Sequence, residues 1–134
     1  MRWFEREVEI RYADTDQMGI VHHAVYACYT ELGRTDLCAK LGMPYAELEN
    51  QGTFLMVAAM TSRFVHPARY GQCLLVRTAI QRLSRRLLEF SYEISVRETG
   101  QLVFTGTTTH VFTTGVGKPR SADDLLFQKL SHGT

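Results

Sequence analysis

The chain has 134 residues, of which 45% are hydrophobic and 22% charged, and its formal net charge at pH 7 is +1. These values are close to the average of folded globular proteins, so they exclude a disordered chain and predict a single domain over residues 1–134. The balanced charge argues against a nucleic-acid binder, which would carry a basic excess. No run of about 18 apolar residues is present, so no membrane span is expected.

The cysteine pattern and the first residues indicate a cellular compartment. Cys28, Cys38 and Cys73 are an odd number and have no CxxC spacing, which is typical of free thiols in a reducing environment. The opening segment, MRWFEREVEI, has neither the apolar run of a signal peptide nor the composition of a transit peptide. We therefore expect a cytoplasmic protein.

The first part of the chain predicts a strand, a loop and a long helix. Residues 4–12 alternate between apolar and polar, which is typical of a half-buried strand, and 13–23 break this alternation and predict a loop. Helical spacing then runs from Ala24 to Gly42, where Gly42 and Pro44 form a stop signal. The side chains expected to face the core from this helix are Val25, Cys28, Tyr29, Leu32 and Ala39.

The rest of the chain predicts a short helix over 44–50, four strands and a terminal helix. The apolar segment 53–65 predicts a long and largely buried strand. Three further segments predict strands at 73–83, 87–97 and 102–114. Ser121, followed by early acidic residues, predicts a capped helix over 121–131.

These elements predict the fold class. Connections of hairpin length between the last four strands favour antiparallel pairing. A five-stranded antiparallel sheet has one apolar face, and one long helix is available to cover it. The expected architecture is α+β, with the sheet wrapped around a central helix.

The densest group of polar side chains lies in the loop before the long helix. Asp14, Asp16, His22 and His23 could simply form turns and caps. However, the first N–H groups of a helix are unsatisfied and carry the positive end of its dipole, and Gly19 permits a close approach to the backbone there. A carboxylate, an imidazole and anion-stabilising N–H groups are together the set that acyl transfer needs.

The motif around this loop resembles a known signature. Residues 11–26, RYADTDQMGIVHHAVY, are similar to the signature of hotdog-fold acyl-CoA thioesterases. The similarity is greatest to the 4-hydroxybenzoyl-CoA thioesterase-like family, which includes the Tol–Pal-associated acyl-CoA thioesterases. It continues through ELGRTDL at 31–37 and FVHPARYG at 64–71. With the strand order it covers nearly the whole chain and implies a hotdog fold.

The resemblance implies roles for particular residues. Asp16 corresponds to the catalytic carboxylate, and His23 to a histidine that orients or polarises the thioester. The carboxylate either attacks the thioester to form an acyl-enzyme anhydride or activates a water molecule, and both routes remain open. The thioester oxygen would lie against helix N–H groups around residues 22–24. The residues expected to contact the substrate nearby are Gly19, Val21, His22, Tyr26 and Glu31.

Glu31 and Asp14 each have an alternative interpretation. Glu31 lies three residues before Arg34, and the two could form an ordinary surface ion pair. Asp14 and Asp16 could hold Mg²⁺, but no phosphate-binding glycine loop is nearby. No metal and no redox cofactor is therefore expected, and coenzyme A enters only as part of the substrate.

A coenzyme A site requires basic residues at its rim, because the cofactor carries a diphosphate and a 3′-phosphate. Each basic residue on this chain could also be an ordinary solvated charge. The candidates for the rim are Arg63, Arg85, Arg86, Lys118 and Arg120.

The predicted function is hydrolysis of an acyl-CoA or acyl carrier protein thioester. Two alternatives remain: a hotdog-fold hydratase or dehydratase, and a non-catalytic hotdog protein that binds an acyl ligand or a partner protein. A chain this short, with one helix filling its interior, has little room for a cleft of its own. We therefore expect a homodimer with active sites at its interface, and the resemblance implies that dimers pair into tetramers.

Overall fold

The chain forms one antiparallel sheet with a long helix against one face, as a computed structural model of all 134 residues shows. The helices are α1 (Tyr26–Lys40), α2 (Tyr45–Asn50) and α3 (Asp124–Ser131). The strands are β1 (Trp3–Glu9), β2 (Phe54–Phe64), β3 (Cys73–Leu83), β4 (Leu87–Val96) and β5 (Leu102–Thr113). The predicted α+β class, with five antiparallel strands and one long helix, is confirmed.

The strands follow the order β1-β3-β4-β5-β2, and every neighbouring pair is antiparallel. Only β3-β4 and β4-β5 are hairpins between consecutive strands. β2 lies at the far edge beside β5, three strand spacings or about 14 Å from β3. The segment 65–72 therefore crosses one end of the sheet. Its length was compatible with a hairpin, but length does not determine which strands become neighbours.

The face of α1 that packs on the sheet differs from the predicted one. Cys28 and Ala39 are exposed, and Leu32 is only partly buried. The prediction failed because the stripe that faces the sheet includes a glycine, a threonine and an arginine, which hydropathy does not assign to a core. The buried residues of α1 are Tyr26, Tyr29, Thr30, Gly33, Arg34, Leu37 and Cys38.

Arg34 is buried rather than exposed at the surface. Its side chain is only 7% exposed, while its ion-pair partner Glu31, 3.5 Å away, is mostly exposed. On its buried side the guanidinium lies beside the hydroxyls of Tyr45 and Tyr92. The two residues do form the predicted ion pair, but only Glu31 lies at the surface; the prediction is wrong for Arg34, which is buried.

A polar chain of side chains continues from Arg34 into the sheet. The Tyr92 hydroxyl lies 2.5 Å from Thr108 Oγ1, which lies 2.8 Å from Nε2 of His110. Burial lowers the pKa of His110 to about 4, so its imidazole stays neutral at physiological pH. His110 is thus part of a buried hydrogen-bonded group.

Strand β2 is the exposed edge of the sheet and not the buried strand that its composition predicted. Met56 and Val57 are each 47% exposed, Met60 is 39% exposed and Phe64 is 53% exposed. The strand has a single charged residue, Arg63, along eleven positions. An apolar sequence predicts that a strand is covered, but it does not say whether the same chain covers it.

The three predicted helices are present, but the residue that caps α3 differs from the predicted one. Helix α3 begins after Asp123, whose carboxylate accepts a 2.8 Å hydrogen bond from the Leu126 N–H, so Ser121 is not the cap. Ser121 was the first polar residue of the segment, but it lies two positions too early. None of the three helices has both the length and the apolar character that crossing a bilayer demands.

Gly33 permits the close approach of α1 to β3. A Cβ at this position would overlap the Thr78 hydroxyl and lie 2.8 Å from Val76 Cγ1. In a helix interior, alanine normally stabilises by about 1 kcal/mol relative to glycine. At position 33 we expect Gly33→Ala to lower the free energy of unfolding by about 1–3 kcal/mol instead, because the overlap displaces the helix. Urea denaturation measures this, and a stabilised variant would contradict the packing.

Candidate active site

The first aspartate of the DTD motif has a structural role. The Asp14 carboxylate is buried and accepts hydrogen bonds from Arg11 through its main-chain N–H (3.0 Å), Nε (3.1 Å) and a terminal nitrogen (2.8 Å). Tyr29 donates a fourth bond of 2.9 Å to the same carboxylate. Burial by itself would raise the pKa of Asp14, but the hydrogen bonds from Arg11 and Tyr29 outweigh it and hold the pKa below its ordinary value.

Asp16 is left available by its surroundings. Its Oδ1 accepts a hydrogen bond of 2.8 Å from the Met18 N–H, and Oδ2 has no hydrogen-bond partner in the chain. The turn closes through Gly19, which has a φ of 77° and donates its N–H to the Asp16 carbonyl at 3.0 Å. Nothing lies within 4 Å of a Cβ at this glycine. Gly19 therefore serves the left-handed turn, and no other part of the chain packs against it.

At the start of the helix, one main-chain N–H remains open. The His22 N–H donates to the Asp14 carbonyl at 2.9 Å, and the Ala24 N–H donates to Nδ1 of His22 at 3.1 Å. The Val25 N–H donates to the His22 carbonyl. Of the N–H groups expected around residues 22–24, only that of His23 is without a partner. His22 is thus a capping residue, because its Nδ1 accepts the hydrogen bond from the Ala24 N–H.

A cavity of about 440 Å³ brings these groups together. The imidazole of His23 stacks on that of His22 at 4.3 Å and lies edge-on to Phe64 at 6.3 Å. The sequence missed His66, since a histidine at a strand end has no distinguishing pattern beyond its place in the FVHPARYG motif. The cavity is lined by Asp16, Ile20, Val21, His23, Tyr26, Phe64, Val65, His66 and Pro67.

An aromatic stack forms one wall of this cavity. The ring of Tyr26 lies parallel to that of Phe104, with 4.9 Å between centroids, and Phe64 contacts both. Burial raises the pKa of Tyr26 to about 12, so its hydroxyl stays protonated at neutral pH. The wall is therefore apolar and uncharged beside the Asp16 carboxylate.

Glu31 lies apart from this cavity. It lines a separate cavity of about 370 Å³ between β1 and the outer side of α1, next to Cys28 and the Asp14–Tyr29 pair. Within one chain, the structure does not bring Glu31 together with Asp16 and His23.

The five basic candidates also lie away from the Asp16 cavity. Arg85 is held by α3, with an ion pair of 2.8 Å to Asp124, and Arg120 donates to the Gly52 carbonyl at 3.0 Å. Arg63 follows the alternation of β2 and lies on the opposite face from Phe64. Three of the five make no ion pair and are exposed: Arg63, Arg86 and Lys118.

Comparison with known proteins identifies the family. Residues 10–124 match the family described as the thioesterase-like superfamily. YneP of Bacillus subtilis, which carries the provisional name acyl-CoA thioesterase, is 36% identical over 107 residues, covering 80% of this chain and 77% of that protein.

Solved structures confirm the fold. The hypothetical protein TT1821 of Thermus thermophilus has a TM-score of 0.92 and 36% identity, covering 97% of this chain and 98% of that chain. The DHNA-CoA thioesterase of Staphylococcus aureus has a TM-score of 0.90 and 30% identity, covering 98% of this chain and 93% of that chain. The family and the hotdog fold expected from the sequence motifs are both confirmed.

Replacing Asp14 by asparagine tests the division of roles in the DTD motif. Because its pKa is lower in the folded than in the unfolded chain, the Asp14 charge stabilises the fold above the unfolded pKa of about 4, and this stabilisation is lost as the pH falls through the folded pKa. We expect Asp14→Asn to lower the free energy of unfolding by about 1–3 kcal/mol at pH 7. The difference from wild type should shrink below about pH 4.

Denaturant titrations at pH 7, 5 and 3 measure both effects. Asp16→Asn is the matched control and should change the free energy of unfolding by less than about 0.5 kcal/mol, because Asp16 makes one exposed hydrogen bond. Equal stability of wild type and Asp14→Asn at pH 7 would contradict the structural role.

Proposed function

The chain belongs to the thioesterase-like superfamily, and from this premise we propose that it hydrolyses the thioester bond of an acyl-CoA. The products are a free carboxylic acid and coenzyme A. The observation that carries the proposal is the pairing, in one cavity, of an Asp16 oxygen without a partner and the open N–H of His23. A thioester placed between them meets a nucleophile or base on one side and a hydrogen-bond donor on the other.

The geometry suits either route from the thioester to the tetrahedral intermediate. In one, Asp16 Oδ2 attacks the carbonyl carbon, the C–S bond breaks, coenzyme A leaves as a thiolate, and water hydrolyses the resulting anhydride. In the other, Asp16 removes a proton from the water that attacks. In both, the negative charge on the thioester oxygen develops next to the His23 N–H, at the positive end of α1. The His23 imidazole, packed between His22 and Phe64, would orient the thioester.

Asp16→Asn tests the catalytic role. The amide is a poor nucleophile and a poor base, so we expect turnover of acyl-CoA substrates to fall by a factor of about 10² to 10⁴ while the fold persists. Release of free thiol from a panel of short, long, branched and aromatic acyl-CoAs measures this. Asp14→Asn is the matched control: where it remains folded, it should retain most of the turnover.

Three results would overturn the proposal. One is release of coenzyme A by wild type no faster than in buffer across the panel. The second is an unchanged rate in Asp16→Asn. The third is addition of water to crotonyl-CoA without thiol release, which would identify a hydratase instead.

The proposed active unit is a homodimer joined through β2. Its outer edge presents unpaired main-chain N–H and C=O groups along eleven residues with only one charge, Arg63. A long edge strand without charges can pair with a strand of another chain through its free N–H and C=O groups. Natural proteins prevent such pairing with charged residues, prolines or short edge strands. The other edge strand, β1, is shorter and carries four charged residues. We infer that β2 pairs antiparallel with the same strand of a second copy, which makes one ten-stranded sheet.

Dimerisation also gives the basic residues a role. Lys118 and Arg120 follow β5 near the start of β2, at the opposite end of this strand from Phe64 and the Asp16 cavity. Antiparallel pairing brings the start of one β2 beside the end of the other. The coenzyme A phosphates of a substrate at Asp16 would then meet the partner's Lys118, which makes no ion pair in the chain.

A charge at the centre of β2 tests the dimer. Ala59 is the middle residue of Phe54–Phe64, so in the pairing proposed here Ala59→Lys places two ammonium groups opposite each other. We expect the variant to sediment as a monomer at micromolar concentration and to lose at least tenfold in thioesterase turnover. Ala46→Lys, an exposed position on α2, is the control and should keep both properties.

Sedimentation velocity reports the mass and also tests whether dimers associate further into tetramers. A wild-type monomer with full activity would contradict the interface. A cytoplasmic location is part of the proposal, since Cys28, Cys38 and Cys73 are all free thiols, which suits a reducing compartment.

A further inference from the structure

A histidine without an assigned role lines the Asp16 cavity. His66 lies just beyond the end of β2, and its side chain is exposed and makes no hydrogen bond or ion pair within the chain. We propose that His66 is the general acid of the thioester cleavage, donating a proton to the sulfur that leaves when the C–S bond breaks. The inference rests on the proposed thioesterase function.

The segment that carries His66 is held against the turn that carries Asp16. The Val21 N–H donates to the Ala68 carbonyl at 2.8 Å, which joins the two segments two residues beyond His66. Within the turn, the Asp16 N–H donates to the Ile20 carbonyl at 2.8 Å. Main-chain hydrogen bonds therefore fix the positions from which both side chains reach the cavity.

The residues on either side of His66 also limit its main chain. The Val65 N–H donates to the Val103 carbonyl at 2.9 Å, which extends the pairing of β2 with β5 by one residue. Pro67 disfavours the helical conformation for the residue before it, and Ala68 is buried. The main chain at position 66 is thus held on both sides, while the imidazole is left free for a substrate.

Four side chains with an ionisable group line the cavity, and three of them do not suit the role of proton donor. Asp16 is the nucleophile or base, and the His23 imidazole orients the thioester. Burial raises the pKa of Tyr26 to about 12, whereas an ordinary thiol has a pKa of about 8.5, so this phenol is too weak an acid to protonate a thiolate. His66 is the remaining group, and an imidazolium is a stronger acid than a thiol.

The proton transfer accompanies the cleavage of the C–S bond. When the tetrahedral intermediate collapses, the C=O bond forms again and the electron pair of the C–S bond goes to sulfur. The departing thiolate takes a proton from a ring nitrogen of His66, so coenzyme A is released as a thiol and the imidazole becomes neutral. Because His66 is exposed, it regains a proton from water before the next turnover. The step is the same whether Asp16 attacks the thioester or activates water.

A change of leaving group tests this role in His66→Gln, whose amide cannot act as a general acid. The best acyl group of the wild-type panel is offered as its coenzyme A thioester and as its 4-nitrothiophenol thioester. We expect kcat/KM to fall at least about tenfold for the first and to stay within about twofold for the second. The reason is that 4-nitrothiophenol is a far stronger acid, so its thiolate leaves without a proton.

Two matched histidine variants accompany this measurement. His132→Gln changes an exposed histidine at the end of α3, outside the cavity, and should leave both rates unchanged. His23→Gln should lower both rates together, because orientation of the thioester matters for either leaving group. The rate with the 4-nitrothiophenol thioester also reports that the site of each variant is intact.

The pH profile gives a second readout. The titratable groups that share the cavity with His66 are Asp16, His23 and Tyr26. Arg63 and Arg69, the arginines nearest in the chain, are exposed and do not line the cavity. Because the protonated imidazole is the active form, wild-type kcat/KM for the coenzyme A thioester should decline with rising pH within the range of about pH 5–8 where histidine titrates. This decline should be absent in His66→Gln.

Three results would overturn the inference while leaving the proposed thioesterase function intact. One is an unchanged rate of His66→Gln with the coenzyme A thioester. The second is an equal loss with both thioesters, which would show that His66 only shapes the cavity. The third is a selective loss with the coenzyme A thioester in His23→Gln instead, which would assign the proton donor to His23. Full activity of Asp16→Asn would show that the proposed function itself is wrong.

Discussion

One helix cannot cover a sheet of five strands, and the arrangement of this protein follows from that limit. The outer strands of the sheet lie about 19 Å apart, whereas a helix with its side chains is about 10–12 Å across. Helix α1 packs on β1, β3 and β4, and the short α2 reaches β2 only near its start. The rest of β2 has no cover within the chain, so its apolar side chains and its main-chain edge are exposed. The same limit leaves a cavity at each end of β2.

The two carboxylates of the DTD motif show how neighbouring residues of one type separate into different roles. Asp14 is buried and saturated by Arg11 and Tyr29, so it fixes the loop between β1 and α1. Asp16, two residues later, lies in the turn closed by Gly19 and keeps one oxygen free in the cavity. The position of Asp16 relative to the start of α1 depends on Asp14, because the Asp14 carbonyl also accepts the His22 N–H. With Asp14 as a rigid anchor, the neighbouring Asp16 carboxylate is held in position while one of its oxygens stays free of hydrogen bonds.

The interior beneath α1 contains one charged and several polar side chains. Arg34 stays charged, and its only carboxylate neighbour, Glu31, lies at the surface. Tyr92, Thr108 and His110 extend the polar group through hydrogen bonds into the sheet. Burying a charge costs free energy unless its hydrogen bonds are satisfied, so these hydroxyl groups offset part of the cost. This polar stripe explains why hydropathy assigned the wrong face of α1 to the core.

The sequence by itself determined the elements, the fold class and the loop that holds the candidate site. Alternation and helical spacing are local properties, and the motif at 11–26 keeps its residues adjacent in the chain. The sequence also placed Asp16 and His23 correctly in one cavity, because seven residues and one turn separate them. It could not show that Asp14 is an anchor, since its partner Tyr29 is reached only when α1 folds back on the loop.

Only the tertiary structure decided the order of the strands, the exposure of β2 and the separation of the basic residues from Asp16. Each of these depends on which distant segments become neighbours, and composition and connection length do not specify that. The apolar pattern of 53–65 was interpreted as burial inside the chain. Hydrophobicity indicates that side chains are unfavourable in water, but it does not say whether the same chain or another molecule covers them. The sheet order places β2 at an open edge, so its apolar side chains lie at the surface of the chain.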